Sequence, residues 1–412
     1  MNTAAATAIP RAQYVKEVGL MSAGHGLTHW YPATFYLLLP LIGKELGLTY
    51  TQIGFILTTQ HIVGAIANLP GGAIVDAYGK KGYLLVLSLL WIGVPYAVMA
   101  ATHSYWVLLV CMALVGIGNN IWHPAAIPTL AHRYPDRKGL VLSLHGMGGN
   151  LGEALAPLAV GAVLTWLSWR QVVVINVAPG IVMAALILVM LGAFSVAKEC
   201  DPNDLNARAG EPWSAKKYMA DFVSLLHNKG LMLVSCSAAF RSLTQSGLLT
   251  FLPVYLAYEM GYNPFLVGVC MAVLQIAGFV ASPFAGHLSD KWGRRRIIMS
   301  SMMLTGVTII GLILAGRTVW FVVFVALTGS FLYAMRSVLQ AWAIENTPKH
   351  LAGTGVGLQF GITAIGGGLG PILFGVIADA WGLQAAFYGL AVSIVLGNCM
   401  VMFVPGGEKK AP

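Results

Sequence analysis

The stretch GAIVDAYGKK at residues 72–81 returns as GHLSDKWGRR at residues 286–295. Each copy places an acid four residues after a glycine: Gly72 with Asp76, and Gly286 with Asp290. A second glycine and two basic residues follow, as Gly79, Lys80 and Lys81 in the first copy and Gly293, Arg294 and Arg295 in the second. Both copies close a long apolar run. The separation between Asp76 and Asp290 also brings Ala156-Pro157 onto Gly370-Pro371, Gly54 onto Gly268, Gly139 onto Gly353 and Gly161 onto Gly375. One register therefore relates the two halves from end to end, the mark of a duplicated unit.

Of the 412 residues, 57% are hydrophobic and 9% charged. That is too little charge to coat a soluble globule of this size, and it places the chain in a lipid bilayer. Crossing a hydrocarbon core of about 30 Å takes roughly 20 apolar residues in a helix. Segments of that kind are predicted near 18–42, 53–75, 83–101, 105–130, 140–166 and 172–194, and again near 231–256, 265–288, 297–315, 319–344, 353–380 and 385–404. The expected fold is an all-α membrane protein, with twelve transmembrane helices in two pseudo-symmetric six-helix halves at 18–194 and 231–404. Between them, residues 195–230 are polar, mixed in charge and broken by prolines, as a linker is. Residues 218–226 have the pattern of a short amphipathic helix lying on the membrane surface.

A net charge of +9 would suggest a nucleic-acid partner for a soluble protein. Here most of the 24 lysines and arginines fall on one side of the expected spans. The exceptions are Lys44, Arg170 and Arg317 on the opposite loops, and Arg241 and Arg336 inside spans. Such a bias is a topology signal and puts both termini, the tails at 1–17 and 405–412 and the linker in the cytoplasm. The first tail has no apolar core of its own and does not read as a cleaved signal peptide. Cys111, Cys236, Cys270 and Cys399 lie in spans and Cys200 in the linker, without ligand spacing. Neither a disulfide, a metal site nor a cofactor is expected, and the partners expected are a small molecule, protons and lipid.

Two six-helix halves with GxxxDxxGKK after the second span, echoed after the eighth, resemble the major facilitator superfamily. Ala77 stands where that family usually has an arginine after the acid. Within the superfamily, LTYTQIG (48–54), IWHPAAIP (121–128) and SLHGMGGNLGEALAPL (143–158) are similar to the fosmidomycin-resistance branch of bacterial drug exporters. GNLGEALAPL also resembles the glycine-rich fifth-helix motif of antiporters, with Ala156 before Pro157. The resemblance implies a secondary transporter in the bacterial inner membrane, monomeric, working by alternating access. It implies a cytoplasmic gate built from the two repeated turns, whose alternative role is to set topology.

Ionisable groups inside spans are costly in hydrocarbon and are expected to face a cavity or a partner. In the first span His25, Thr28, His29, Pro32 and Tyr36 share one helical face. The histidines are either cavity groups or neutral links to neighbouring helices. Asn119, Asn120 and His123 cluster before Pro124, where the WHP stretch can equally serve helix bending. Arg241 has Gln245 one turn on, and Arg336 shares a face with Tyr333 and Gln340. Two fixed guanidinium charges suit an anion such as a carboxylate or phosphonate, unless one is paired with Glu153 or with backbone carbonyls. Glu153 is the one carboxylate well inside a span, one and two turns beyond Gly149 and His145. It is either a proton carrier or half of a constitutive ion pair.

The candidate substrate-binding set is therefore His29, Tyr36, Asn120, His123, Arg241, Gln245, Tyr333 and Arg336, with Glu153, His29 and His123 as proton-coupling groups. Gly146, Gly148, Gly149 and Gly152, with Gly366, Gly367, Gly368 and Gly370, read as sites of close helix approach. A membrane hydrolase is disfavoured: Ser143 and His145 point to different faces of a helix and no GxSxG is present. The leading expectation is proton-coupled efflux of a small organic anion or amphipathic drug. Uptake or exchange of an organic anion is the alternative, and a sensor that does not transport is a remote one.

Overall fold

The computed structural model describes residues 11–77, 80–191, 215–348 and 351–405, without side chains for 68–77, 215–218 and 352. Among the described residues twelve long helices appear. The first six are α1 (Arg11–Leu46), α2 (Tyr50–Ala77), α3 (Lys81–Ala101), α4 (Tyr105–Arg133), α5 (Lys138–Val163) and α6 (Trp169–Met190). After a short helix, α7 (Ala215–Leu226), come α8 (Lys229–Tyr258), α9 (Pro264–Trp292), α10 (Arg294–Ala315), α11 (Val319–Glu345), α12 (Ala352–Trp381) and α13 (Leu383–Met402). The helix anticipated at 218–226 is the C-terminal part of α7.

Helix starts follow local chemistry. Ser168 and Gln171 form a reciprocal cap on α6, and Asn228 and Asn263 each accept a hydrogen bond from the backbone three residues on, at the starts of α8 and α9. The duplication is visible in the stops. α1 ends just before Gly47, and α8 ends three residues before Gly261; the two glycines occupy the same place in the repeat and have φ of +61° and +67°. Only glycine takes that conformation without steric cost, so both halves turn at the same point by the same device.

Packing repeats as well. In the first half α1 pairs with α5, α2 with α4, and α3 with both α4 and α6; in the second α8 pairs with α12, α9 with α11, and α10 with both α11 and α13. The α1–α5 and α8–α12 contacts run backbone to backbone. A Cβ on Gly152 would collide with the Gly26 carbonyl oxygen, and one on Gly366 with that of Ala239. Among the described residues eight of the long helices are apolar enough to cross a bilayer unaided. His29, His61, Glu153 and Arg241 are carried into the interior by α1, α2, α5 and α8.

The halves meet through two symmetry-related pairs, α2 with α12 and α5 with α9. Gly54 lies against the Pro371 carbonyl, and its repeat counterpart Gly268 against the Pro157 carbonyl. Asp379 accepts hydrogen bonds from the backbone N–H groups of Tyr50 and Thr51 at the start of α2, both at 2.8 Å. The Tyr258 hydroxyl donates to the Pro40 carbonyl at 2.7 Å. These contacts gather toward the end marked by Gly47 and Gly261, opposite the repeated turns.

At the other end α1 runs further than the expected span. Arg11 to Glu17, anticipated as a tail, continue the helix, and Glu17 is buried there. Its carboxylate accepts from the Tyr134 hydroxyl at 2.6 Å, from Gln13 at 2.7 Å and from two nitrogens of Arg133 at 3.2 Å. A buried charge with that many partners is stabilised where an unpaired one would not be, and it ties α1 to the end of α4.

Candidate functional site

The polar groups carried by these helices converge on one cavity of about 420 Å³ between the halves. From α1, Thr28, His29, Pro32 and Tyr36 line it, as their shared face anticipates. His25 lies on the same face but behind the lining, buried against α4 and α5. Asn120 and His123 reach the cavity from α4 and Glu153 from α5; Arg241 and Gln245 come from α8 and Arg336 from α11. Tyr333 does not line it: its ring packs against Gly278 on α9 and its hydroxyl is buried near Gln245.

Charge is divided across the cavity. On the first-half side, Glu153 bonds to His29, with Nδ1 2.6 Å from Oε1. On the second-half side, Arg241 is buried and donates to the Gln245 side-chain oxygen at 2.7 Å. Among the described residues neither Arg241 nor Arg336 has a carboxylate within 4.0 Å. Of the two readings left open for Glu153, a constitutive pair with an arginine is not what the structure contains; the partner is a histidine. The guanidinium groups are left with uncommitted N–H donors beside the cavity, a geometry that suits an anionic oxygen.

Behind His29 the histidines form a compact group. His25 Nδ1 lies 2.7 Å from the His145 carbonyl oxygen, and His25 Nε2 lies 3.1 Å from His123 Nε2. The His25 and His145 rings stack with centroids 4.0 Å apart. Gly149 makes the space, since a Cβ there would fall 2.7 Å from the His25 ring.

Several lining residues escaped the reading of the sequence. Gln60 and His61 on α2, Gln275 on α9 and Gln359 on α12 all face the cavity. The signal available was a carboxamide or imidazole within an apolar run, which charge alone does not flag. His61 is held by a contact of Nδ1 with the Leu57 carbonyl at 2.8 Å, leaving Nε2 for other partners.

Of the residues expected at the gate, Gly72, Asp76 and Gly79 lie outside the residues whose side chains are described. Lys80 stands 6.0 Å from the Tyr83 ring centroid. In the second copy Asp290 pairs with Arg294 at 2.6 Å, and Arg294 also reaches Glu345 at 3.1 Å, while Arg295 donates to the Val404 carbonyl. This network joins the ends of α9, α11 and α13 to the start of α10, all within the second half. Gly293 supplies the turn with φ of +91°.

Comparison with known proteins agrees with this architecture. The family model described as "Major Facilitator Superfamily" matches residues 20–281 and 234–412. The phosphoglycerate transporter protein of Salmonella typhimurium is 26% identical over 90% of this chain and 83% of its own length. The fosmidomycin resistance protein of Escherichia coli is also 26% identical, over 95% of this chain and 93% of its own. Among solved structures, a bacterial homolog of the human lysosomal transporter Spinster, in an inward-facing and unoccupied conformation, superposes with a TM-score of 0.80. It covers 96% of this chain and 97% of its own at 15% identity, a likeness of fold alone.

Proposed function

The chain belongs to the Major Facilitator Superfamily and is a multi-pass membrane transporter, not an enzyme, and from that premise we propose that it moves a small organic anion or amphipathic drug by alternating access. The observation that carries the anion is the pair Arg241 and Arg336, both lining the cavity and, among the described residues, neither within 4.0 Å of a carboxylate. An arginine keeps its charge at any working pH, so the substrate is what completes these groups. His29, Tyr36, Asn120, His123 and Gln245 surround the same volume and are assigned to substrate binding. Tyr333 is assigned an indirect part, through Gln245.

Coupling is assigned to protons held at the His29–Glu153 hydrogen bond and at His123. A proton shared between an imidazole and a carboxylate can be released when the cavity changes its solvent, and an anion entering beside Arg336 alters the field on both groups. The direction assigned is efflux, in line with the fosmidomycin resistance relative. Uptake or exchange of an organic anion is the second reading; the relatives named for phosphoglycerate and hexose phosphate transport support a phosphate ester as its cargo. The location proposed is a bacterial inner membrane with both termini cytoplasmic, by the distribution of lysine and arginine. In that orientation the contacts around Asp379 close the outer end, and the repeated turns latch the cytoplasmic end in the opposite state.

The test has two arms. Purified protein is screened for ligand-induced thermal stabilisation by phosphonates, phosphate monoesters and carboxylates, with Arg241→Ala alongside. Truncating one side of a buried charged contact costs about 2–5 kcal/mol, so the variant is expected to bind about 30-fold or more weakly. In proteoliposomes Glu153→Gln is expected to keep substrate binding and lose proton flux. A wild type with no preference for anions removes the role of the arginines, and intact proton coupling in Glu153→Gln removes Glu153.

A further inference from the structure

Three histidines from two helices bring one ring nitrogen each within 4.8 Å of one another: His25 and His29 from α1 and His123 from α4. In two of the rings the other nitrogen is already engaged: His25 Nδ1 donates to the His145 carbonyl and His29 Nδ1 is held by Glu153. Those two imidazoles are thereby left with Nε2 as a lone-pair acceptor. His25 Nε2 faces His123 Nε2 at 3.1 Å, so a neutral pair shares one N–H there, and a metal ion can take the place of that proton.

We propose that His25, His29 and His123 bind a d-block dication such as Zn²⁺ through their Nε2 atoms, with a fourth position open toward the cavity. Ligands at about 2.0–2.1 Å from a tetrahedral ion lie about 3.3 Å apart, close to the observed separation of the His25 and His123 nitrogens. Metal-bound histidines regularly donate their second N–H to a carboxylate or a backbone carbonyl, which fixes ring and tautomer. That outer arrangement is already built for His25 and His29. Imidazole donors select zinc, copper, nickel or cobalt over magnesium or calcium. Access is through the cavity, which His29 and His123 line while His25 closes the back. Glu153 supplies a negative charge on the same side, and Arg336 is the cation that faces the group from α11. The proposal reverses the expectation of no metal site, which weighed cysteine spacing only. It rests on the histidine geometry and not on the assignments of coupling or direction.

The test uses full-length protein in detergent, freed of any polyhistidine tag, titrated with Zn²⁺ and with Co²⁺. One ion is expected to bind per chain, with a four-coordinate visible spectrum for Co²⁺. X-ray absorption on the Zn²⁺ form is expected to give three imidazole nitrogens and one oxygen. His25→Asn, His29→Asn and His123→Asn are each expected to weaken binding by more than the roughly 10–100-fold that loss of an outer partner costs, and Glu153→Gln by about that range. Arg241→Ala is expected to bind Zn²⁺ as the wild type does, so a failed anion assignment and a failed metal site give different patterns. Metal-independent melting curves of the variants establish that they are folded. Binding that survives loss of His123, that is six-coordinate, or that disappears when the exposed His103 and His227 are replaced, overturns the proposal.

Discussion

Replacing Asp379 by alanine tests the closure between the halves. Its carboxylate takes two backbone N–H groups at the start of α2, on Tyr50 and Thr51, each at 2.8 Å. These are orphan donors of a helix N-terminus, where the helix dipole also favours negative charge. A capping carboxylate is worth about 1 kcal/mol, and hydrogen bonds to a charged acceptor about 1.5–3 kcal/mol when shielded. Asp379 is exposed, so the lower end applies and the pair is worth about 1–2 kcal/mol. All of it belongs to the closed arrangement, because partner and acceptor lie on opposite halves. The open population at this end is therefore expected to rise about 5–30-fold. The measurement is the distance distribution between spin labels on the ends of α2 and α12 nearest Asp379, with and without Asp379→Ala. Tyr258→Phe removes the separate bond to the Pro40 carbonyl, worth about 0.5–1.5 kcal/mol, and is expected to shift the same distribution less. Unchanged distributions in both variants refute the claim that these bonds hold the end shut.

Further outcomes follow from packing and charge. Gly152→Ala and Gly366→Ala each drive a methyl into an opposing carbonyl and are expected to cost about 1–3 kcal/mol, read as a lowered melting temperature in detergent. Gly146→Ala on the same helix as Gly152 meets nothing within 4 Å and is expected to leave stability unchanged or raise it. Glu45, beyond the membrane span, is held below the usual carboxylate range by hydrogen bonds from Arg170 and Trp169. A folded-state pKa lowered in this way stabilises the fold above the ordinary carboxylate pKa, and the contribution is lost as pH falls through the folded value. The melting temperature of Glu45→Gln is expected to vary less with pH over that acidic range than that of the wild type.

The spans were legible because hydrocarbon leaves the chain few options: a run of about 20 apolar residues has to be a helix. The duplication was legible because turns need glycine at fixed places. The partner of Glu153 was not. Composition offers Arg241, Arg336 and several histidines as equally good cations, and only the packing of α1 on α5 across Gly149 and Gly152 brings His29 to 2.6 Å. The facing nitrogens of His25 and His123 were hidden for the same reason, since they come from residues nearly a hundred positions apart. Gln60, His61, Gln275 and Gln359 were missed because an uncharged polar side chain in a span is as often a local hydrogen-bonding group as a cavity residue.

The repeat also separates scaffold from site. The shared glycines are mechanical: Gly47 and Gly261 turn the chain after equivalent helices, Gly54 and Gly268 seat against equivalent carbonyls, and Gly152 and Gly366 let equivalent helices touch. The cavity groups break the repeat instead. In the same register Glu153 meets Gly367, His29 meets Leu243, His123 meets Ser337, Arg241 meets Leu27 and Arg336 meets Trp122. Imidazoles and a carboxylate have gathered on one side, and guanidinium groups on the other. A cavity lined by a strictly symmetric pair of halves would present like charges to each other across its centre. Departing from the repeat at these positions puts imidazole and carboxylate groups opposite fixed cations, while the glycine contacts between helices stay equivalent in the two halves. The functional hypothesis therefore concentrates where the duplication fails, and variants that restore symmetry there, such as Arg241→Leu, are expected to abolish transport without disturbing the fold.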